Sequence, residues 1–159
     1  MKELWLKILP ILRDKEAFAQ LFVRACVGIM FMGGSLKRKL FDLDRFTSYF
    51  EYLEIPAASI QAPMVALLEV LCGLLLIIGL GTRFAAATLC GIMVVAIATA
   101  GVKDKGVDKF FDDSFTDGVL NFIYLPEFLI FCICLWFVFA GPGRLSVDHG
   151  IARQHGQAE

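Results

Sequence analysis

Histidine is scarce in this chain, since only His149 and His155 occur and both follow the last apolar run. A haem held between two histidines inside the apolar segments is therefore excluded. The sequence also lacks a phosphate-binding glycine loop, the His-Glu-x-x-His zinc motif, a nucleophile elbow and a Cys-x-x-Cys pair. It has no basic stripe suited to nucleic acid, so no nucleic-acid partner is expected.

Apolar residues dominate the composition. They make up 58% of the 159 residues, and the mean hydropathy is +0.70. Soluble domains do not have this composition. A membrane span needs about 20 mainly apolar residues, and such stretches occur at 17–36, 58–80, 83–102 and 119–140. We predict an all-α fold, an integral membrane four-helix bundle whose main partner is the lipid bilayer.

The remaining segments flank this membrane domain, which we place at residues 16–148. Residues 1–15 mix leucines and isoleucines with basic residues around Trp5, which predicts a short amphipathic helix on the membrane surface, broken near Pro10. Residues 149–159 form a polar tail. The composition predicts a multi-pass membrane protein.

The charges of the loops bear on orientation. We call side A the face with the amino terminus, the turn at 81–82 and the carboxyl tail, and side B the face with the two longer loops. Lysine and arginine are equally numerous on both sides, so the positive-inside rule does not decide. The loop acids, among them Asp112, Asp113 and Asp117, all lie on side B. We therefore predict both termini in the cytoplasm.

Three charged residues interrupt the apolar segments: Arg24, Glu69 and Glu127. A charge at the centre of a bilayer costs about 3 kcal/mol on insertion scales, so such residues mark partners or functional sites. At about 1.5 Å of rise per residue, the two carboxylates lie near the midplane and Arg24 lies closer to side A. An ion pair of Arg24 with Glu69 is geometrically plausible.

Glu127 follows Pro126, and a proline inside a helix frees a carbonyl one turn earlier, here that of Phe122. Asn121 and Tyr124 are expected to complete a polar niche around Glu127. We therefore take Glu69, Glu127, Arg24, Asn121 and Tyr124 as candidate ligand-binding residues. A quinone headgroup or proton site is the functional interpretation, and a structural polar network that joins the helices is the alternative.

The loop after the first span contains aromatic residues at helical spacing. Phe46, Phe50 and Leu53 share one face of a predicted short helix. Either this helix is an amphipathic linker on the lipid headgroups, or it is a lid over a cavity that opens on side B. Asp112, Asp113 and Asp117 do not have the spacing of a calcium loop.

The cysteines all fall inside the predicted spans, at one depth: Cys26, Cys72, Cys90, Cys132 and Cys134. Plain packing is the first interpretation, because cysteine is a common buried residue. A disulfide pair, or a soft-metal site with Cys26, Cys72, Cys90 and Cys132 as weak candidates, is the alternative.

Past the fourth span, Gly141 and Pro142 end the helix. Asp148 is expected to pair with Arg144 or with Arg83, all on side A, as a structural clasp.

These features together resemble the DoxX family of small membrane proteins. The resemblance rests on Glu69 followed by Gly73, on the Gly-Leu-Gly-Thr-Arg turn at 79–83 and on the tail Gly-Pro-Gly-Arg-Leu-Ser-Val-Asp at 141–148. It extends over about residues 20–148. Many relatives carry a His-Gly-x-x-Lys pattern after the first span, where this chain has Gly-Gly-Ser-Leu-Lys at 33–37. The role of that histidine is therefore not transferable.

The resemblance implies a four-helix bundle in a bacterial-type cytoplasmic (inner) membrane and a link to redox systems. Members resemble a subunit of thiosulfate:quinone oxidoreductase, others assist oxidative-stress or thiol systems, and many have no assigned activity. Two functions fit: a redox accessory subunit that binds quinone near Glu69 and Glu127, or a non-catalytic scaffold or assembly factor that docks onto a partner membrane or redox protein. The first predicts a cavity and the second a packed interior. A homodimer through small-residue helix faces is a further expectation.

Overall fold

The computed structural model of the protein describes residues 2–105, 119–120 and 122–156. Every regular element in these ranges is helical, which confirms the predicted all-α fold. The helices, numbered in chain order, are α1 (Lys2–Ser35), α2 (Leu43–Tyr52), α3 (Ala58–Ile78), α4 (Thr82–Ala96), α5 (Val102–Lys105), α6 (Pro126–Ala140) and α7 (Val147–Gly156). Two π-helical turns, Leu36–Leu40 and Ile97–Gly101, continue α1 and α4.

Three helical segments are long and apolar enough to cross a membrane. They are Lys15–Ser35, Ala58–Ile78 and Thr82–Gly101, and they lie close to the first three predicted spans. The predicted break near Pro10 is absent, because α1 is helical without interruption from Lys2 to Ser35. A proline removes one helical hydrogen bond, and in α1 the neighbouring turns remain helical on both sides of it.

The fourth apolar helix differs from the prediction. It begins at Pro126 and has 15 residues, about 22 Å in length, where a single helix over 119–140 was predicted. Leu125 is extended, as expected for a residue before proline. Proline at the first helical position loses no hydrogen bond. The predicted kink is therefore wrong, and the Phe122 carbonyl is not released, because it accepts a hydrogen bond from the Leu125 N–H at 3.2 Å.

The helices pack in an arc in which α1 contacts α3, α3 contacts α4, and α4 contacts α6. Six side chains at the centre of this arc have no exposed surface: Leu76, Ala85, Ala86, Leu89, Cys134 and Phe137. Since α1, α4 and α6 all line one cavity in the side B half, the arc is open there. It is closed at side A by the segment that follows α6.

The side A closure uses backbone carbonyls of residues 141–145. Gln20 on α1 donates to the Gly141 carbonyl at 3.0 Å. The guanidinium of Arg24 donates to the carbonyls of Pro142 and Leu145, the latter at 2.7 Å. These bonds tie α1 to the end of α6.

Asp148 completes the closure in a way that the sequence analysis did not predict. Its carboxylate accepts from the backbone N–H groups of Gly81 at 2.8 Å and Thr82 at 3.1 Å. The described residues contain no ion pair of Asp148 with Arg83 or Arg144. The first N–H groups of a helix lack helical partners and carry partial positive charge. The carboxylate therefore caps α4, and the predicted pairing was wrong.

Two glycines set the distance between α1 and α3. A methyl group on Gly28 would lie 2.6 Å from the Gly73 carbonyl oxygen, and one on Gly73 would lie 2.7 Å from the Gly28 carbonyl oxygen. Both distances are shorter than van der Waals contact, so the helix backbones meet directly, as in other small-residue membrane interfaces.

We expect Gly73→Ala to lower the free energy of unfolding by about 1–3 kcal/mol, the usual cost of overpacking. Gly91→Ala is the matched control, because the surroundings of Gly91 hold no atom within 4 Å of an added methyl group. Reversible unfolding in mixed detergent and SDS micelles measures both. Equal stability of the two variants would contradict the direct backbone contact.

Candidate functional site

The side B half of the protein contains a cavity of about 950 Å³. Its walls come from the last turns of α1, from α2, from the first half of α3, from the second half of α4 and from the start of α6. Most of the lining is apolar, and the polar side chains include Ser35, Lys39, Gln61, Glu69, Thr88, Thr99 and Glu127. A mainly apolar cavity of this size with a few convergent polar groups is typical of small-molecule sites.

Glu69 is the most deeply buried charged side chain of the cavity, with 2% of its surface exposed. Its oxygen Oε2 accepts a hydrogen bond from the Ser35 hydroxyl at 2.5 Å and forms an ion pair with Lys39. Because the opposite charge and the hydroxyl compensate for the lost hydration, a carboxylate is tolerated at this depth.

Lys39 reaches Glu69 from the π-helical turn that follows α1. Its side chain is 27% exposed, and its ammonium lies 4.9 Å from the ring centroid of Phe46. The long lysine stem allows the charge to extend away from its own backbone position. Lys39 therefore connects the buried carboxylate with the helix that covers the cavity on side B.

Ser35 and Lys39 were not among the predicted site residues. Lys39 had been counted only as a loop charge, and Ser35 only as part of the segment that departs from the family pattern. A signal was present, since the two residues are four apart and so lie on one face of a continuing helix. The carboxylate of Glu69, in an apolar run, also required a hydrogen-bond donor or a cation from another segment.

Glu127 lines the same cavity as Glu69. It lies in the first turn of α6, where the positive end of the helix dipole favours a carboxylate. The polar niche predicted around it is different in the structure. Tyr124 is 80% exposed and is not part of the cavity lining, while Asn121 lies outside the described residues.

Arg24 is separate from this site. It is 1% exposed and bonds the carbonyls at side A described above. The ion pairs within the described residues are Lys39 with Glu69 and Lys103 with Glu54, so the predicted pair of Arg24 with Glu69 is not formed. Arg24 lies on α1 more than two turns before the part of that helix that faces Glu69, which explains the separation.

The helix α2 lies along the cavity. Three of its residues and its C-cap contribute to the lining: Phe46, Tyr49, Phe50 and the C-cap Leu53. The rings of Phe46 and Phe50 meet edge to face at 4.7 Å, and Phe50 packs on Ala58 and Ala62 of α3. Of the two interpretations of this segment, the lid agrees with its position.

Lys103, in α5, attaches that helix to the end of α2. Its ammonium donates to the Tyr52 carbonyl at 2.6 Å, pairs with the Glu54 carboxylate at 2.8 Å and lies over the Tyr52 ring. Glu54 and Ala57 have φ of 60° and 52°, a left-handed conformation that is unfavourable for residues other than glycine. The linker between α2 and α3 is thus held in a strained form.

The hydrogen bond and the charge of Lys103 keep the pKa of Glu54 below its usual value. The pair therefore contributes at neutral pH and is lost as the pH falls through that lowered pKa. We expect the protection of backbone amides in residues 43–57, measured as exchange relative to the intrinsic rate at each pH, to fall on acidification, and Lys103→Met to show reduced protection already at pH 7. Lys37→Met is the control. Exchange that is equally slow in all three proteins at pH 7 would contradict the attachment.

The cysteines pack in the protein interior or face its surface. Cys72, Cys90 and Cys134 are buried in the main core, whereas Cys26 and Cys132 are exposed. All five are free thiols. No group of three or more metal-binding side chains occurs within the part of the chain that the structure describes.

Comparisons with known proteins agree with the membrane fold. The DoxX family model matches residues 19–102, which is more than half of the chain. The uncharacterized membrane protein Rv3486 of Mycobacterium tuberculosis is 29% identical over 138 residues, a region that covers 83% of this chain and 80% of the relative. No solved structure matches. The matched region includes Ser35, Lys39 and Glu69, and the resemblance seen in the sequence is confirmed: the chain belongs to the DoxX family of membrane proteins.

Proposed function

We propose that this protein holds a quinone or similar amphipathic molecule in its side B cavity and acts as an accessory subunit of a membrane redox system. The observation that carries the proposal is the ion pair of the buried Glu69 with the half-buried Lys39 in the wall of an apolar cavity of about 950 Å³. An apolar wall suits an isoprenoid tail, and a small polar group suits a ring that carries oxygen atoms.

The open side of the helix arc provides a route for such a ligand. Ile29, Met64 and Val95 belong to the cavity lining and are exposed. Their side chains are apolar and lie on helices long enough to cross the bilayer. A lipid-soluble molecule can therefore enter from the hydrocarbon region without passing through water.

The scaffold interpretation required a packed interior in which Arg24, Glu69 and Glu127 neutralise one another. Arg24 bonds backbone carbonyls at side A, and the space between Glu69 and Glu127 is open. The cavity therefore favours a ligand. We further propose that the chain resides in a bacterial cytoplasmic membrane with both termini in the cytoplasm, so that the cavity lies in the outer half.

The test is mass spectrometry of the lipids that co-purify with the protein extracted in native membrane discs. We expect a quinone at near-stoichiometric amount, reduced about tenfold in the double variant Glu69→Gln, Glu127→Gln, the change that about 1.4 kcal/mol of lost binding free energy produces. Glu51→Gln, at an exposed position of α2 outside the cavity, is the control. Finding the same phospholipids and no quinone in all three proteins would refute the proposal.

A further inference from the structure

The two oxygens of Glu69 have different surroundings. The Ser35 hydroxyl and the Lys39 ammonium both donate to Oε2. The other oxygen, Oε1, receives no hydrogen bond from the described part of the chain. The side chain is 2% exposed and belongs to the cavity wall. Oε1 is also absent from the solvent-inaccessible polar atoms that lack a partner, so it is accessible rather than sealed, and a ligand donor in the cavity can reach it.

We infer that the cavity selects a ligand that donates a hydroxyl hydrogen to Glu69 Oε1, and that it therefore prefers the hydroquinone form of a redox pair over the quinone form. This inference rests on the proposed function. A carboxylate paired with an ammonium group is an acceptor only. A hydroquinone or phenol offers an O–H, whereas the oxygens of a quinone are acceptors and face Oε1 without a hydrogen between them.

Lys39 is a hydrogen-bond donor, whereas Glu69 Oε1 is an acceptor. The preference between quinone and hydroquinone depends on which of these two contacts each ligand can make. The ammonium has three hydrogens, one of which goes to Glu69, so it can also donate to a quinone carbonyl. A hydroquinone oxygen accepts that same bond and still donates to Oε1. The reduced form thus makes every contact of the oxidised form and adds a charge-assisted hydrogen bond, which is roughly twice as strong as a neutral one.

Glu69 and Lys39 do not exchange electrons, and no electron transfer is assigned to the cavity. What the geometry assigns is retention: the protein holds the reduced carrier near side B. The covering helix α2, with Phe46 beside Lys39, lies over this position.

Calorimetric titration of the protein in lipid nanodiscs tests the inference. The probes are a short-tailed benzohydroquinone, the matching benzoquinone and the dimethyl ether of the hydroquinone, all under argon. We expect the hydroquinone to bind at least about tenfold more tightly than either of the others, because only it carries the donor. The ether keeps the ring and removes the hydrogen, so it separates hydrogen bonding from ring shape.

Variants assign the preference to Glu69. Glu69→Gln should bring the three affinities to within about threefold of one another, because the neutral amide accepts a weaker hydrogen bond and also presents N–H donors. Glu51→Gln is the matched control, because it makes the same chemical change at an exposed position of α2 outside the cavity lining. It should retain the full preference.

The outcomes separate this inference from the proposed function. Quinone binding as tight as or tighter than hydroquinone binding in the unchanged protein would overturn the inference and leave the proposed function intact. Binding of none of the three probes would overturn both. The comparison in the unchanged protein needs no variant, so the test stands even if Glu69→Gln does not fold.

Discussion

Lys39→Met is expected to lower the free energy of unfolding by about 3 kcal/mol, the lower end of the range for removing one partner of a buried ion pair. The Glu69 carboxylate would keep only the Ser35 hydroxyl while 98% of its surface remains inaccessible to water, since 2% is exposed. Reversible unfolding in mixed detergent and SDS micelles measures the effect. Lys37→Met, a neighbouring and exposed lysine, is expected to change the value by less than about 0.5 kcal/mol.

The double variant Lys39→Met, Glu69→Leu distinguishes a lost ion pair from lost packing. Replacing both charges by apolar side chains of similar size is often neutral or stabilising, so the double variant should recover most of the stability that Lys39→Met loses. It should bind no hydroquinone, because the acceptor is gone. A double variant less stable than Lys39→Met would show that the pair fills space that other side chains cannot fill. The electrostatic explanation would then fail.

The double variant thus separates the contribution of this pair to stability from its contribution to ligand binding. A packed scaffold gains nothing from a buried charge that two apolar residues replace without loss. A binding site needs the charge even at some cost in stability. Recovery of stability together with loss of the ligand is the combination that identifies Glu69 as a functional residue.

The membrane helices were predictable because hydropathy is a local property. The runs around 17–36, 58–80 and 83–102 contain enough apolar residues in sequence to fill a bilayer, and their partners do not alter that. The start of α6 was not predictable in the same way. Pro126 has opposite effects inside a helix and at its first position, and the apolar residues on both sides of it continue without a change of composition.

The candidate site was predictable in part. Glu69 stands out because a carboxylate in an apolar run requires a reason. Its partners Ser35 and Lys39 lie 34 and 30 positions away in sequence, and Lys39 is one of three adjacent basic residues. Lys39 reaches Glu69 from the π-helical turn after Ser35, and the sequence contains no clear sign of that turn. Arg24 was assigned to Glu69 because backbone carbonyls, its real partners, have no sequence signature.

Arg24→Met is expected to lower the free energy of unfolding by about 3 kcal/mol, since each of two hydrogen bonds from a charged donor contributes about 1.5 kcal/mol at the lower end of the usual range. Arg24→Lys should lose about half of this. A single ammonium nitrogen replaces two guanidinium nitrogens that reach different carbonyls, those of Pro142 and Leu145. Arg83→Met removes an exposed arginine on the same side and is the control.

The position of Arg24 makes a second, more specific consequence testable. Its bonds close the helix arc at side A, whereas the cavity lies in the side B half. Arg24→Lys should therefore unfold more readily and yet, under conditions where it remains folded, retain the affinity of the unchanged protein for the hydroquinone. Loss of binding in folded Arg24→Lys would mean that the side A closure sets the width of the cavity, since α1 carries both Arg24 and the Ser35 that bonds Glu69.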